Sequence, residues 1–260
     1  MLNQGSAEAN RTRSGLNSGL DVLELLAGQG APATLTEIAR LLGMSKSGVH
    51  GVLATLHRRG FVQRGAEGDY RLGLRAWEVG SAAAPMELVR SAAPHMERLS
   101  RDLSEGVILG LLDGFDVVYI HLVDSPQPVR VHTSVGDRIR AHCTSTGLAL
   151  LAALPEERLR AILPARLAKV TEDTITDREE LLRELQRTRL RGYAVNRGGW
   201  QTEVGGAAVA IPGTDAALCV AAPRYRVTKP WLARICPPLI AAAERIATGP
   251  DAAPRRAASR

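Results

Sequence analysis

Thr34-Leu-Thr-Glu-Ile-Ala-Arg-Leu-Leu-Gly-Met-Ser-Lys-Ser-Gly-Val-His-Gly-Val-Leu-Ala-Thr-Leu-His-Arg-Arg-Gly60 is the stretch on which the reading of this 260-residue chain turns. Thr34 and Glu37 have the spacing of a capping box, in which each side chain satisfies a free backbone N–H of the other at a helix start. Behind it Leu35, Ile38, Ala39 and Leu42 fall at i, i+3, i+4 and i+7, the apolar stripe of an amphipathic helix. Gly43 supplies the left-handed residue that stops this helix, and Ser45 is a ready N-cap for the next. The second helix carries Val49, Val52, Leu53 and Leu56 on its inner face and closes at Gly60. Two such helices joined by Gly43-Met44-Ser45 make a helix-turn-helix.

The flanks extend it. Upstream, Gly19, Val22, Leu23 and Leu26 keep helical spacing until Gly28, Gly30 and Pro32. Downstream, Phe61-Val-Gln-Arg64 and Tyr70-Arg-Leu72 alternate like strands around Gly65 to Asp69. A hairpin directly after the second helix reads as a wing. A three-helix fragment with an incidental hairpin is the plainer alternative, but cap, turn, stripe and hairpin in this order favour a winged helix. This domain is expected over 16–80, after a disordered start at 1–15.

The charge pattern fits a DNA-facing surface. Of 33 basic residues only Lys46, Lys169 and Lys229 are lysine; such Arg-rich usage follows from GC-rich coding, so the net charge of +6 carries little weight. Position carries more. Between Arg40 and Arg75 seven basic residues stand against Glu67 and Asp69, and from Ser45 to Phe61 there is no acid. A solvated helix face normally mixes signs, whereas a phosphate-facing one excludes carboxylates. Lys46, Ser47 and His50, at the N-terminal end of the second helix, are placed to reach base edges. Gly51 lies among them, and Thr36, His57, Arg58, Arg59, Arg64 and Arg71 complete the candidate DNA-facing set, the arginines as phosphate contacts.

Other classes fall away. No apolar run approaches the roughly 20 residues of a membrane span, and the N-terminus lacks the apolar stretch of a secretory signal. Cys143, Cys219 and Cys236 form no Cys-x-x-Cys pair, so neither a thiolate zinc site nor a disulfide framework is expected. The cytosol is the expected compartment.

The second half changes character. Leu74 to Ala83 and Met86 to Leu103 read as helices broken at Pro85 and Pro94, a linker over 81–104. Strands are expected at 107–112, 117–123, 193–195, 207–211 and 218–222, and helices at 146–153, 156–162, 177–191 and 231–246. Strands, helices, then strands and a helix imply an α+β domain over 105–248 with a mostly antiparallel sheet. The basic end, 249–260, is expected to be disordered. Ser145 reads either as the cap of the helix after it or as part of an anion site at that helix start.

One catalytic alternative exists. His142-Cys143, with Asp137 nearby, resembles a nucleophile and its base, as in a hydrolase-like enzyme fused to a DNA-binding domain. Neighbours on a strand or loop point apart, so no hydrogen-bonded pair is expected. No Gly-x-Ser-x-Gly, phosphate loop or His-Glu-x-x-His occurs, and the six histidines lack metal-ligand spacing. The expectation is no enzyme, no metal and no cofactor.

The stretch Leu35 to His50, continued through Leu53-Ala-Thr-Leu56 and Tyr70-Arg-Leu-Gly73, resembles the IclR-type transcriptional regulators. The resemblance resumes at His142-Cys-Thr-Ser-Thr-Gly-Leu-Ala-Leu-Leu151 and Leu154-Pro-Glu-Glu157. It continues at Arg191-Gly-Tyr-Ala-Val195, Val204-Gly-Gly-Ala-Ala208 and Ala217-Leu-Cys-Val-Ala-Ala-Pro223. It implies an N-terminal winged helix, a linker helix and a C-terminal effector-binding domain of GAF-like fold. It further implies a repressor-type regulator whose affinity for double-stranded DNA responds to a small molecule. A homodimer or homotetramer would match a palindromic operator. By position it places Val131, Ser145, Thr146, Asn196, Val204, Gly206, Cys219 and Ala221 around the effector. The chain departs from the family at Gly48, usually Thr, and Gly51, often Arg. Cys219 and Ala221 stand where serines are common and Asn196 where an acid is frequent, which implies a larger, partly apolar carboxylate or aromatic metabolite.

Overall fold

The computed structural model describes residues 14–81 and 85–249. Apart from Ser14, Gly15 and Gly249, the stretches expected to be disordered lie outside the described residues, as do residues 82–84. The chain divides into two compact units, 1–86 and 87–260.

In the first unit α1 (Gly15–Gln29) starts on Ser14, whose side chain accepts from Asn17 N, and ends at left-handed Gly30. Next come β1 (Ala33–Thr34), α2 (Leu35–Leu42) and α3 (Lys46–Arg58). The hairpin β2 (Val62–Arg64) and β3 (Asp69–Leu72) follows, then α4 (Leu74–Ser81). The capping box forms: Glu37 N donates to Thr34 Oγ1 at 3.3 Å, and Thr34 N to Glu37 Oε2 at 2.7 Å. Gly43 is left-handed at φ 62°, and Ser45 Oγ accepts from Gly48 N at 3.1 Å. Val22, Leu26, Ile38, Val49, Leu53, Val62 and Tyr70 fill the core between the helices and the wing. β1, absent from the expectation, adds a third strand through Ala33 opposite Tyr70; two residues are too few for alternation to register. Gly73 is required by contact: a Cβ there would lie 2.2 Å from Gly60 O, where the wing closes on the end of α3.

The second unit runs α5 (Pro85–Leu103), β4 (Gly106–Asp113), β5 (Asp116–Val123), β6 (Arg138–Arg140), a 3-10 turn (Ala141–Cys143) and α6 (Ser145–Ala153). It continues through α7 (Glu156–Ile162), α8 (Arg178–Arg191), β7 (Ala194–Arg197), β8 (Val204–Ala210), β9 (Ala216–Pro223) and α9 (Lys229–Ala247). The strands form one antiparallel sheet in the order β6-β5-β4-β9-β8-β7. Side chains alternate between two cores. Ile108, Val117, Ala217, Cys219 and Ala221 meet α6 and α8, whereas Val107, Leu109, Leu218 and Val220 meet α5 and α9. With both faces covered, β9 is buried along its whole length, hence its continuous apolar run.

Three expectations need correcting. Pro94 does not break α5: the helix runs through it from Pro85 to Leu103, with Pro94 and Arg90, the residue four before it, both exposed. α5, expected as a connector, also packs Ala92, Met96, Leu99 and Leu103 into the second core. The cap of α6 is Thr144, whose Oγ1 accepts from Gly147 N at 3.0 Å; Ser145 is the first helical residue.

Candidate functional site

Two surfaces concentrate the residues singled out by sequence. On the first unit, Lys46, Ser47, His50 and Gly51 are exposed on α3, Arg58 and Arg59 are exposed at its end, and Thr36 is exposed on α2. Val49 and Leu53 pin the opposite face of α3 into the core, so the acid-free face is the one turned to solvent. A Cβ at Gly51 would meet nothing within 4 Å, while one at Gly48 would meet Ser45 Oγ at 3.1 Å. Gly48 therefore relieves the cap, and nothing inside the unit requires Gly51.

Three members of the set are held differently from the rest. His57 Nδ1 contacts Val62 O at 3.1 Å; a carbonyl only accepts, so Nδ1 carries the proton and the ring ties α3 to the wing. On the wing, Arg64 is the cross-strand partner of Tyr70 and its guanidinium lies 5.9 Å from that ring. Arg71 pairs with Gln63 one register step away and so projects from the opposite face of the hairpin. Both arginines are exposed.

In the second unit a cavity of about 30 Å³ lies between the sheet and the start of α6. Seven of the eight positions implied by resemblance line it: Val131, Ser145, Asn196, Val204, Gly206, Cys219 and Ala221. The eighth, Thr146, is fully buried beside it, its Oγ1 without a hydrogen bond. With the cap supplied by Thr144, the Ser145 hydroxyl turns to Cys219 Sγ at 3.4 Å. Gly206 is fixed by contact, since a Cβ would meet Val220 O at 2.8 Å and Ser145 Oγ at 3.2 Å. Asn196 Oδ1 accepts from Gly199 N at 2.9 Å, which shapes the loop carrying Trp200 into the wall.

Sequence reading did not single out Ile108, Tyr119 and Thr133, which also line the cavity. The β4–β9 register supplies the missing signal: Ile108 lies opposite Cys219 and shares its face. Every lining group is neutral near pH 7. Burial raises the Tyr119 phenol and the Cys219 thiol, and pushes Cys143 up to about 11.

The His142–Cys143 pair corrects one expectation. The two lie in a tight 3-10 turn, and Cys143 Sγ comes within 3.5 Å of His142 Nε2. The contact does not make a nucleophile. Nε2 also faces Ala168 O at 2.9 Å, so it holds the proton and cannot accept one from the thiol. Burial lowers the His142 pKa and raises that of Cys143, so both stay neutral. Among the described residues no group of three or more His, Cys, Asp or Glu is arranged to hold a metal.

The sequence family described as IclR helix-turn-helix domain matches residues 16–66, and that described as Bacterial transcriptional regulator IclR C-terminal matches residues 80–248. The chain belongs to the IclR family. Among curated relatives, the HTH-type transcriptional regulator Rv1719 of Mycobacterium tuberculosis is 38% identical over 74% of this chain and 76% of its own length. The regulator KdgR of Escherichia coli is 32% identical over 93% of this chain and 95% of its own. Among solved structures, an IclR homolog of Microbacterium hydrocarbonoxydans complexed with 4-hydroxybenzoate has a TM-score of 0.78 at 29% identity, covering 90% of this chain and 97% of that one. The chain is thus an IclR-family transcriptional regulator: its helix-turn-helix unit is the DNA-binding domain, and its second unit is the GAF-like effector domain. No helix among the described residues is long and apolar enough to cross a membrane.

Proposed function

We propose that this IclR-family protein is a cytoplasmic repressor that binds a palindromic operator as a homodimer, or a pair of dimers, and responds to an aromatic or partly apolar carboxylate. The observation that carries the DNA reading is the acid-free, solvent-facing side of α3, with Lys46, Ser47 and His50 at its leading end. Arg58, Arg59 and Arg71 flank that face as phosphate contacts, and His57 acts by positioning the wing.

For the effector, the supporting observation is a neutral wall that combines apolar and aromatic groups with a few polar ones, Ser145 and Asn196 among them. A carboxylate needs no lysine there. The first residues of α6 present backbone N–H groups without intrahelical partners, and the helix dipole favours an anion at that end. Tyr119 and Trp200 supply surface for an aromatic ring. The structural relative that holds 4-hydroxybenzoate makes that acid the natural first probe.

The test is titration of the full-length chain with 4-hydroxybenzoate and with acetate, followed by tryptophan fluorescence, since Trp200 lines the cavity. Saturable quenching by the aromatic acid, lost in Trp200→Phe, supports the reading. Equal response to acetate removes the claim of a larger, partly apolar effector. Catalysis is not part of the proposal: Cys143→Ala is expected to leave DNA binding unchanged and, because Cys143 lines the cavity, to alter ligand affinity only through the volume it removes.

A further inference from the structure

The cavity holds about 30 Å³, room for about two waters, against the roughly 300–1,000 Å³ of ordinary ligand pockets. A wall must therefore move before an organic acid enters. The loop between β5 and β6 is such a wall. Its Val131 and Thr133 are half-buried and line the cavity, while Arg130, His132 and Ser134 alternate outward.

The loop is tied firmly at its ends. Ser125 Oγ donates to Ser104 O at 3.4 Å; at the far end Gly136 N donates to Tyr119 O at 2.7 Å, and the Asp137 carboxylate accepts from Thr133 and Ser134. Between them, among the described residues, one hydrogen bond comes from outside the loop: Arg226 Nη2 donates to Val129 O at 2.7 Å. The same Nη2 stands 3.5 Å from Oε2 of Glu105, whose side chain is 3% exposed and whose Oε1 accepts from Trp231 Nε1 at 3.1 Å. This network is incomplete. Glu105 Oε2 and Arg226 Nε are both buried, and neither makes a hydrogen bond. A guanidinium turned fully to Glu105 would pair both atoms at once, as the planar fork of Arg does with a carboxylate. Held on Val129, it does not.

We infer that Arg226 is a two-position latch on the cavity loop. With the loop closed it donates to Val129; with the loop open it turns onto Glu105 as a two-bonded pair. Glu105 lies two residues beyond the end of α5 at Leu103, joined to it through Ser104, a non-glycine residue at φ 54°. Opening of the cavity is thereby registered at the end of the helix through which the chain arrives from the DNA-binding unit. This inference rests on the cavity being the effector site.

The test is hydrogen–deuterium exchange of the ligand-free full-length chain, comparing wild type with Arg226→Lys, Arg226→Gln and Glu105→Gln. Both Arg226 variants are expected to speed amide exchange over 129–133 by about tenfold, with β4 and β9 unchanged as the check that the fold is intact. Glu105→Gln is expected to slow exchange there, because it weakens the competing position. Faster exchange in Glu105→Gln would make Glu105 a fixed clamp and overturn the two-position latch. Unchanged exchange in both Arg226 variants would overturn the tie itself. Because no ligand is present, these outcomes stand apart from the fluorescence titration, whose failure bears on the identity of the site.

Discussion

Residues 34–72 build the DNA-facing surface from one unbroken run of chain, whereas the cavity draws on β4, β5, the loop before β6, the start of α6 and three further strands. The first surface is exposed and positively charged, with no acid from Ser45 to Phe61. The second is buried and electrically neutral, and its groups are held by contacts between strands far apart in sequence. In the proposed function the first site works through charge at short sequence range and the second through shape at long range. Substitutions should separate the two: on the first they act through salt dependence, on the second through volume.

The largest effect is expected from replacing Arg58, Arg59, Arg64 and Arg71 together by alanine. Each lost phosphate contact lowers the slope of log affinity against log salt by roughly one unit, for all DNA sequences alike. Arg64, already stacked on Tyr70, is expected to give the smallest single contribution. An unchanged slope in the fourfold variant would remove the docking of this winged helix on DNA.

Next comes volume. Ala221→Leu extends a side chain into the cavity from β9 and is expected to weaken 4-hydroxybenzoate binding by at least about tenfold, the equivalent of 1.4 kcal/mol. Its overpacking cost is about 1–3 kcal/mol of stability. DNA affinity measured without ligand should stay within about threefold of wild type, since a tenfold change needs 1.4 kcal/mol. Equal loss of both activities would mean that the two sites are not separable.

The neutral His142 gives a pH dependence with a definite sign. Burial depresses its pKa, so below the ordinary imidazole value of about 6.5 the unfolded chain takes up a proton that the folded chain refuses. Stability is complete above that pH and falls as the solution is acidified towards the folded pKa. His95, depressed mainly by burial, acts in the same direction. The Tm of wild type should drop between pH 7.5 and 5.5. His142→Gln should flatten the drop while lowering Tm at pH 7.5, because it loses the stack on Phe115 at 5.4 Å. A steeper drop in the variant would reverse the assignment.

Smallest is Gly51→Ala. With open space around its Cβ, alanine should raise stability by about 0.5–1 kcal/mol. If the bare backbone lets α3 approach DNA closely, operator affinity should fall despite the gain. A variant that melts higher and binds its operator equally well would show the glycine to be incidental.

The contrast also explains what the sequence revealed. Thr34, Glu37, Gly43 and Ser45 announce the helix-turn-helix because caps and stripes are local patterns, each set within one turn of helix. The strands of the second unit were visible as apolar runs, but β6, three residues long with arginines at both ends, was not. The cavity residues came from resemblance, because composition gives no hint that Ser145 and Cys219, 3.4 Å apart, meet at all. Ile108 and Tyr119 follow only from register. The closeness of His142 to Cys143 was missed because a 3-10 turn, unlike a strand, brings neighbouring side chains together.

The central claim is that α3 reads sequence through Lys46, Ser47 and His50 while the arginines supply affinity. Fluorescence anisotropy on a footprinted operator fragment and on a scrambled fragment tests it, comparing wild type with the triple variant Lys46→Ala, Ser47→Ala, His50→Ala. The account predicts a loss of about 1–3 kcal/mol per base contact on the operator, with affinity for scrambled DNA nearly unchanged. A parallel loss on both fragments would contradict it, because these residues would then position the backbone and read nothing.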